Sequence, residues 1–241
     1  MENTGGQLST QQRRALLGPM ARAHARGVTG RMLRLVWLNP GRRVHIAPGR
    51  LDPPSSALTR AAALEAGRRL SPAMLNHSYR AYTFGAALGS ITDLEIDYEV
   101  LFAAALLHNT GLPSHIGDVD FTLSSARVAR DVAETAGLST AATRILRTAI
   151  TLHTNPDVTL DHGPVAHLLA AGVALDVTGA RCGELPQEVL AATAARYPRL
   201  GFKQQLRAAL LSEALRVPHG RIQFLRRHGY DLAIRLAPFR G

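Results

Sequence analysis

The sequence predicts an all-α protein, a bundle of about eight or nine helices that follows an irregular N-terminal arm. Apolar residues recur at helical spacing from residue 55 almost to the end of the chain. No run of alternating β-branched residues is long enough to form a sheet. A chain of 241 residues can bury a sizeable core. From where the helical spacing begins, we expect an arm over residues 1–50 and a helical domain over residues 51–241.

The helices repeat a scheme of capping residue, apolar stripe and breaker. Residues 10–26 predict a basic helix, and residues 31–54 predict turns, with residues 35–38 available to contact the core. Ser71 and Pro72 are typical of a helix start, and Gly137 is typical of a helix end. The remaining predicted helices cover residues 55–70, 71–89, 97–109, 124–137, 139–154, 163–179, 186–198 and 202–216.

Composition excludes several classes of protein. The net charge is +10, and Lys203 is the only lysine. The arginines are spread along the whole chain, and no aromatic residues alternate with the arginines. Nucleic acid is therefore not an expected partner. No apolar run of about 18 residues predicts a membrane span. The single cysteine, Cys182, excludes an internal disulfide. The first residues lack the apolar core of a signal peptide, and we expect a cytoplasmic protein.

Four polar residues fall on the apolar faces of four different predicted helices: His77, His108, His153 and Asp176. A single histidine on such a face is typical of a hydrogen-bonded core residue. A buried carboxylate, however, needs a partner. Convergence on one metal ion would explain all four residues together, because imidazoles and a carboxylate suit zinc, iron or manganese.

An ordered series of stretches resembles the HD-domain superfamily, and most closely its cyanamide hydratase-like branch. The resemblance covers roughly residues 55–225 and implies a helical bundle that holds one or two metals. It implies that His77 is the first ligand, His108 the histidine of the His-Asp pair, Asp176 the closing aspartate, and His153 a later site histidine. The stretches are "LNHSYRAYTFGAAL", "LFAAALLHNTGLP", "FTLSSARVA", "ILRTAITLHT", "VAHLLAAGVALDVTG" and "YPRLGFKQQL".

Two departures from that family's pattern weaken the metal prediction. Asn109 stands where the family has the Asp of its His-Asp pair, and a neutral amide bridges two cations poorly. Thr122 and Ser124 stand where related sequences carry acids. Chemistry through two metals is therefore disfavoured. One divalent metal (zinc, iron or manganese) on two histidines and Asp176 stays open, and so does a pocket without metal.

Three functions remain open at this point. The first is an enzyme, a hydro-lyase or hydrolase, that acts on a small nitrogen-containing molecule through metal-bound water. The second is a metal-free enzyme that uses Asn109, His153 and Asp176 as acid and base for a rearrangement or cyclisation. The third is a non-catalytic protein that binds a ligand or a partner. A homodimer is compatible with the resemblance.

Further polar residues are candidates for substrate binding. They lie beside His77, in the loop after His108, or after His153. The loop after residue 108, with His115 and Asp120, could lie over the pocket mouth. The basic stretch 221–229 reads as a solvated face. The substrate-binding candidates are Asn76, Arg80, Asp118 and Asn155.

Overall fold

A computed structural model describes residues 4–35, 40–92, 94–113 and 117–239. Within these ranges the regular structure is helical; no strand occurs, and a single isolated bridge joins Gln7 to Gly220. The predicted all-α class is confirmed. The α-helices are α1 (Thr10–Leu35), α2 (Ala57–Arg69), α3 (Pro72–Ser90), α4 (Tyr98–Leu107), α5 (Phe121–Thr135), α6 (Thr140–Leu152), α7 (Pro164–Thr178), α8 (Gln187–Arg196), α9 (Phe202–Arg216), α10 (Arg221–Arg227) and α11 (Tyr230–Arg235).

Helix α1 is longer than the sequence predicted. It begins with a capping box, in which the Ser9 hydroxyl accepts from the Gln12 amide at 3.2 Å and the Gln12 side chain accepts from the Ser9 amide at 2.8 Å. The helix continues to Leu35, so the prediction of turns was wrong for residues 31–35. The side chains of residues 35–38, predicted to contact the core, lie outside the part of the chain that the structure describes.

Two helix starts show how local chemistry sets the element bounds. Helix α3 begins as predicted, with the Ser71 hydroxyl accepting from the Met74 amide and Pro72 at the first position. Helix α5 begins three residues before its predicted start, because the Asp120 carboxylate accepts from the Thr122 amide at 2.8 Å. Asp120 is therefore a buried cap and not a residue over a pocket mouth.

Helices α3 and α7 lie side by side through the middle of the bundle and approach closely at two glycines. A Cβ atom placed on Gly172 of α7 would lie 2.1 Å from the Ala81 carbonyl oxygen of α3. A Cβ atom on Gly85 of α3 would lie 2.8 Å from the Leu168 carbonyl oxygen of α7. This contact matters for the site because α3 carries His77 and α7 carries Asp176.

The short helices α10 and α11 follow α9 and were not predicted. Residues 221–229, read from the sequence as a solvated face, are only in part exposed: Ile222, Phe224 and Leu225 are buried in the main apolar core. Among the described residues no helix is both long and apolar enough to cross a membrane.

Candidate functional site

The four polar residues singled out from the sequence are buried, as their helical spacing predicts. His77 lies in the second turn of α3 and Asp176 near the C-terminal end of α7, while His108 and His153 cap the C-terminal ends of α4 and α6. Their exposed fractions are 1%, 0%, 0% and 5% for His77, Asp176, His108 and His153. Two buried helix ends and the buried faces of two further helices thus bring polar side chains from four elements together.

The three histidines are neighbours and form what we call the histidine cluster (His77, His108 and His153). The Nε2 atoms of His77 and His108 are 3.3 Å apart. The ring of His108 also lies edge-on to the ring of His153, with 4.8 Å between the ring centroids. The cluster is therefore a continuous row of imidazoles with His108 in the centre.

Each ring of the histidine cluster is held by an acceptor at Nδ1. His77 Nδ1 lies 2.7 Å from a carboxylate oxygen of Asp176, His108 Nδ1 lies 2.7 Å from the Ala105 carbonyl, and His153 Nδ1 lies 2.6 Å from the Ile150 carbonyl. Since these oxygens only accept, each Nδ1 carries the proton and donates it. The lone pair of each neutral imidazole is consequently on Nε2.

Asp176 is the centre of a buried ionic group. Its Oδ1 atom accepts from Arg80 Nε at 2.8 Å and from Arg199 Nη1 at 2.7 Å, and its Oδ2 atom accepts from Arg80 Nη2 at 2.9 Å in addition to His77. Burial alone would raise the pKa of the Asp176 carboxyl. The hydrogen bond from His77 and the charge of Arg80 outweigh burial and hold this pKa well below its usual range.

Arg80 is an internal counter-ion, which corrects its predicted role as a substrate-binding group. Its side chain is fully buried. Its third guanidinium nitrogen, Nη1, does not bind Asp176 and donates to the carbonyls of Tyr197 and Pro198, at 2.9 Å and 3.3 Å. The arginine therefore joins α3 to α7 and to the segment after α8, and it leaves no free face for an anionic ligand.

The predicted set of three metal ligands fits the site only in part. The two Nε2 lone pairs of His77 and His108 face each other, which is how two imidazoles approach a shared cation. Asp176, however, lies at the opposite end of the His77 ring, on Nδ1, and both of its oxygens are engaged. Among the described residues no three His, Cys, Asp or Glu side chains are grouped to hold a metal ion.

The local charge also disfavours a divalent cation. Asp176 contributes one negative charge, and the two guanidiniums that contact it, of Arg80 and Arg199, contribute two positive charges. A cation bound beside His77 would therefore enter a site that is already positive. We conclude that a metal held by His77, His108 and Asp176 does not fit this site.

A cleft of about 430 Å³ adjoins the histidine cluster at His153. Its lining residues come from α1, the end of α6, α7 and the C-terminal helices. The consecutive residues His153, Thr154 and Asn155 form what we call its polar corner. Most of the other lining residues are apolar, and no Asp, Glu, Lys or Arg lines it among the described residues. The other main lining residues include Met20, His24, Val28, Val173, Leu225, Tyr230 and Leu236.

The remaining predicted site residues divide between the cleft and other positions. Asn155 lines the cleft, as a substrate-binding group would. Asn76 instead donates to the Pro198 carbonyl at 2.8 Å, and Asp118 is exposed in the loop before α5; neither lines the cleft. Asn109 is buried beside His108, also away from the cleft. His115 lies outside the described residues.

Sequence reasoning missed three residues that contribute to the site. Arg199 pairs with Asp176, and His24 and Tyr230 line the cleft. Arg199 lies within the stretch "YPRLGFKQQL", but nothing local marks it as the partner of a carboxylate on another helix. No protein-family model matches this chain, and a search of the curated proteins gives no match.

Because its histidines are buried, we expect the protein to lose free energy of unfolding in acid. Burial lowers the pKa of His153 from 6.5 to about 3, although the hydrogen bond to Ile150 opposes the shift. Between pH 6.5 and about pH 3, His153 is protonated in the unfolded chain but neutral in the folded chain. The contribution of His153 to the free energy of unfolding is therefore complete above pH 6.5 and decreases as the pH falls through this window. The loss at His153 amounts to roughly 5 kcal/mol across the window.

Urea denaturation at pH 5 and pH 7 measures this effect. We expect His153→Gln to reduce the dependence of the unfolding free energy on pH, by up to about 1.4 kcal/mol per pH unit. The matched control is His45→Gln, at an exposed histidine. An unchanged slope in His153→Gln would show that His153 is already protonated in the folded protein at pH 5.

Proposed function

We propose that this chain is a divergent HD-domain-like protein that binds a small, mostly apolar molecule in the cleft beside the histidine cluster. The observation that carries the proposal is that His153, at one end of the histidine cluster, lines an apolar cleft of about 430 Å³. Pockets of this size, with an apolar lining and a few grouped polar side chains, are typical of small-molecule sites. The ordered stretches over residues 55–225 support the HD-domain-like fold.

The polar corner of the cleft supplies the specificity. His153 is neutral at physiological pH because burial lowers its pKa to about 3. Its Nδ1 proton is already donated to Ile150, so its Nε2 lone pair is the group left to accept a hydrogen bond from a ligand. Asn155 offers a further donor and acceptor in the same corner. We infer that the ligand has a hydroxyl or N–H group at the end that meets His153.

Metal-free catalysis by His153 is the second candidate. The fixed tautomer of His153 favours it, because a general base needs a defined lone pair. A pKa of about 3, however, makes His153 a weak base at neutral pH. Asn109 and Asp176, the other two residues of the predicted acid–base set, do not line the cleft. Metal-assisted hydration, hydrolysis or lyase chemistry needs a ligand set that the donor arrangement does not supply. Binding is therefore the better-supported function.

Filling the cleft tests the proposal. Ala174 of α7 lines the cleft and is half-buried, so the side chain in Ala174→Trp should occupy the space of a ligand. The probe is N-phenyl-1-naphthylamine, an uncharged apolar fluorophore. We expect the wild type to bind the probe with a gain in fluorescence, and Ala174→Trp to bind it at least about tenfold more weakly.

Two further variants make the result decisive. Ala191→Trp, at an exposed position of α8 that does not line the cleft, should bind the probe as the wild type does. Ala233→Trp reaches the cleft from α11 and covers the case in which Ala174→Trp fails to fold, as judged by circular dichroism. If the wild type does not bind the probe, or if both cleft variants still bind it fully, the proposal is wrong.

A further inference from the structure

A second hollow, of about 190 Å³, lies between the first turns of α1 and helix α10. Three arginines line it: Arg13, Arg14 and Arg227. Two histidines, His219 and His228, line it as well, whereas no Asp or Glu does among the described residues. Within the described part of the chain none of the three arginines forms an ion pair. We call this second hollow the basic hollow.

The basic hollow and the apolar cleft are neighbours that share part of their lining. His228 lines both, and on α10 the adjacent residues Phe224 and Leu225 line one hollow each. Helix α1 also passes along both, with Arg13 in the basic hollow and Gly27 in the cleft. At a rise of 1.5 Å per residue, these two positions are roughly 20 Å apart. We call the two neighbouring hollows together the groove; its lining is apolar in the cleft and cationic in the basic hollow.

We infer that the ligand of this groove is an amphiphilic anion, with an apolar body in the cleft and a single carboxylate or phosphate in the basic hollow. The inference rests on the proposed function, because it assigns the ligand class of the same cleft. Guanidinium groups pair with the planar oxygens of carboxylate and phosphate, often through two hydrogen bonds. The cleft itself offers no counter-charge, so the anionic group is expected at one end only.

A polyanion fits the groove less well. Nucleic acid would place charged phosphates along the whole groove, and those beyond Arg13 and Arg14 would meet a wall without cations. A charge that loses water against such a wall without a partner is strongly disfavoured. The charge pattern therefore favours a molecule with one anionic end.

Calorimetric titration with three 12-carbon ligands, each at a concentration at which it is dissolved as monomers, tests the inference. The ligands are dodecanoate, dodecyl phosphate and uncharged dodecanol. We expect one or both anions to bind the wild type at least about tenfold more tightly than dodecanol. The anion that binds more tightly identifies the head group as carboxylate or phosphate. In the variant Arg13→Gln/Arg14→Gln/Arg227→Gln, the anions should bind no more tightly than dodecanol, and the dodecanol affinity should stay unchanged.

A matched variant controls for net charge. The change Arg60→Gln/Arg127→Gln/Arg144→Gln removes three exposed arginines that line neither hollow, and it should keep the preference for anions. Equal affinity of the wild type for all three ligands would overturn the inference. A preference for anions that persists in the Arg13→Gln/Arg14→Gln/Arg227→Gln variant would overturn it as well. Neither result would contradict the proposed binding of an apolar molecule in the cleft. If none of the three ligands binds although the wild type binds N-phenyl-1-naphthylamine, the inference fails and the proposed function stands; if the fluorophore does not bind either, the proposed function itself fails. Suppose that no alkyl ligand binds, that the wild type and the control variant bind a labelled RNA, and that the Arg13→Gln/Arg14→Gln/Arg227→Gln variant does not. The basic hollow would then be a nucleic-acid site, and the inference would be wrong.

Discussion

Replacing Asp176 by asparagine is expected to lower the free energy of unfolding by about 3–5 kcal/mol, the cost of leaving buried charge without its partner. The carboxylate holds Arg80 and Arg199, of which Arg80 is fully buried and Arg199 nearly so. An amide of the same shape keeps one acceptor oxygen but supplies no charge to either guanidinium. Urea denaturation at pH 7, followed by circular dichroism, measures the loss.

An exposed ion pair provides the control for Asp176→Asn. Arg130 and Asp131 form a pair at 2.8 Å in which the Asp131 side chain is 64% exposed, so Asp131→Asn should cost less than about 1 kcal/mol. Metal analysis of both variants and of the wild type separates the counter-ion role of Asp176 from the predicted ligand role. One equivalent of zinc, iron or manganese in the wild type, lost in Asp176→Asn with the urea midpoint unchanged, would show that Asp176 is a ligand after all.

The substitution Gly172→Ala is expected to destabilise the protein by about 3 kcal/mol or more, at the upper end of the range for overpacking. The added Cβ would lie 2.1 Å from the Ala81 carbonyl oxygen and 2.8 Å from the Gly85 amide nitrogen. Both obstacles are backbone atoms of α3, so no side chain can rotate away and the two helices must separate. Because α3 carries His77 and Arg80 and α7 carries Asp176, separation also lengthens the contacts of the ionic group.

Gly67→Ala is the matched control for Gly172→Ala. A Cβ on Gly67, which is exposed within α2, meets no atom within 4 Å. Alanine there should raise the free energy of unfolding by about 0.5–1 kcal/mol, because glycine lowers helix stability. Both variants are compared by urea denaturation. A wild-type midpoint in Gly172→Ala would mean that α3 and α7 tolerate a wider spacing than the structure shows.

Periodicity in the sequence was sufficient to locate most helices and to place four polar residues inside the bundle. The apolar stripes around His77, His108, His153 and Asp176 are local patterns, and a helix turns such patterns into faces without help from the rest of the chain. Helix bounds were predicted less well. The cap of α5 is Asp120, which precedes the serines that the sequence suggested. Helices α10 and α11 are too short, at seven and six residues, to show a clear period.

The sequence by itself therefore determined the all-α class and the burial of the site residues, since both depend on spacing along one element. Only the tertiary structure decided what those residues contact. Asp176 meets Arg80 and Arg199, which are 96 and 23 positions away, and it meets His77 at Nδ1 instead of sharing a metal with it. Which atom of a buried carboxylate or imidazole faces which partner depends on the packing of several helices at once. A pattern confined to one helix carries no information about that packing.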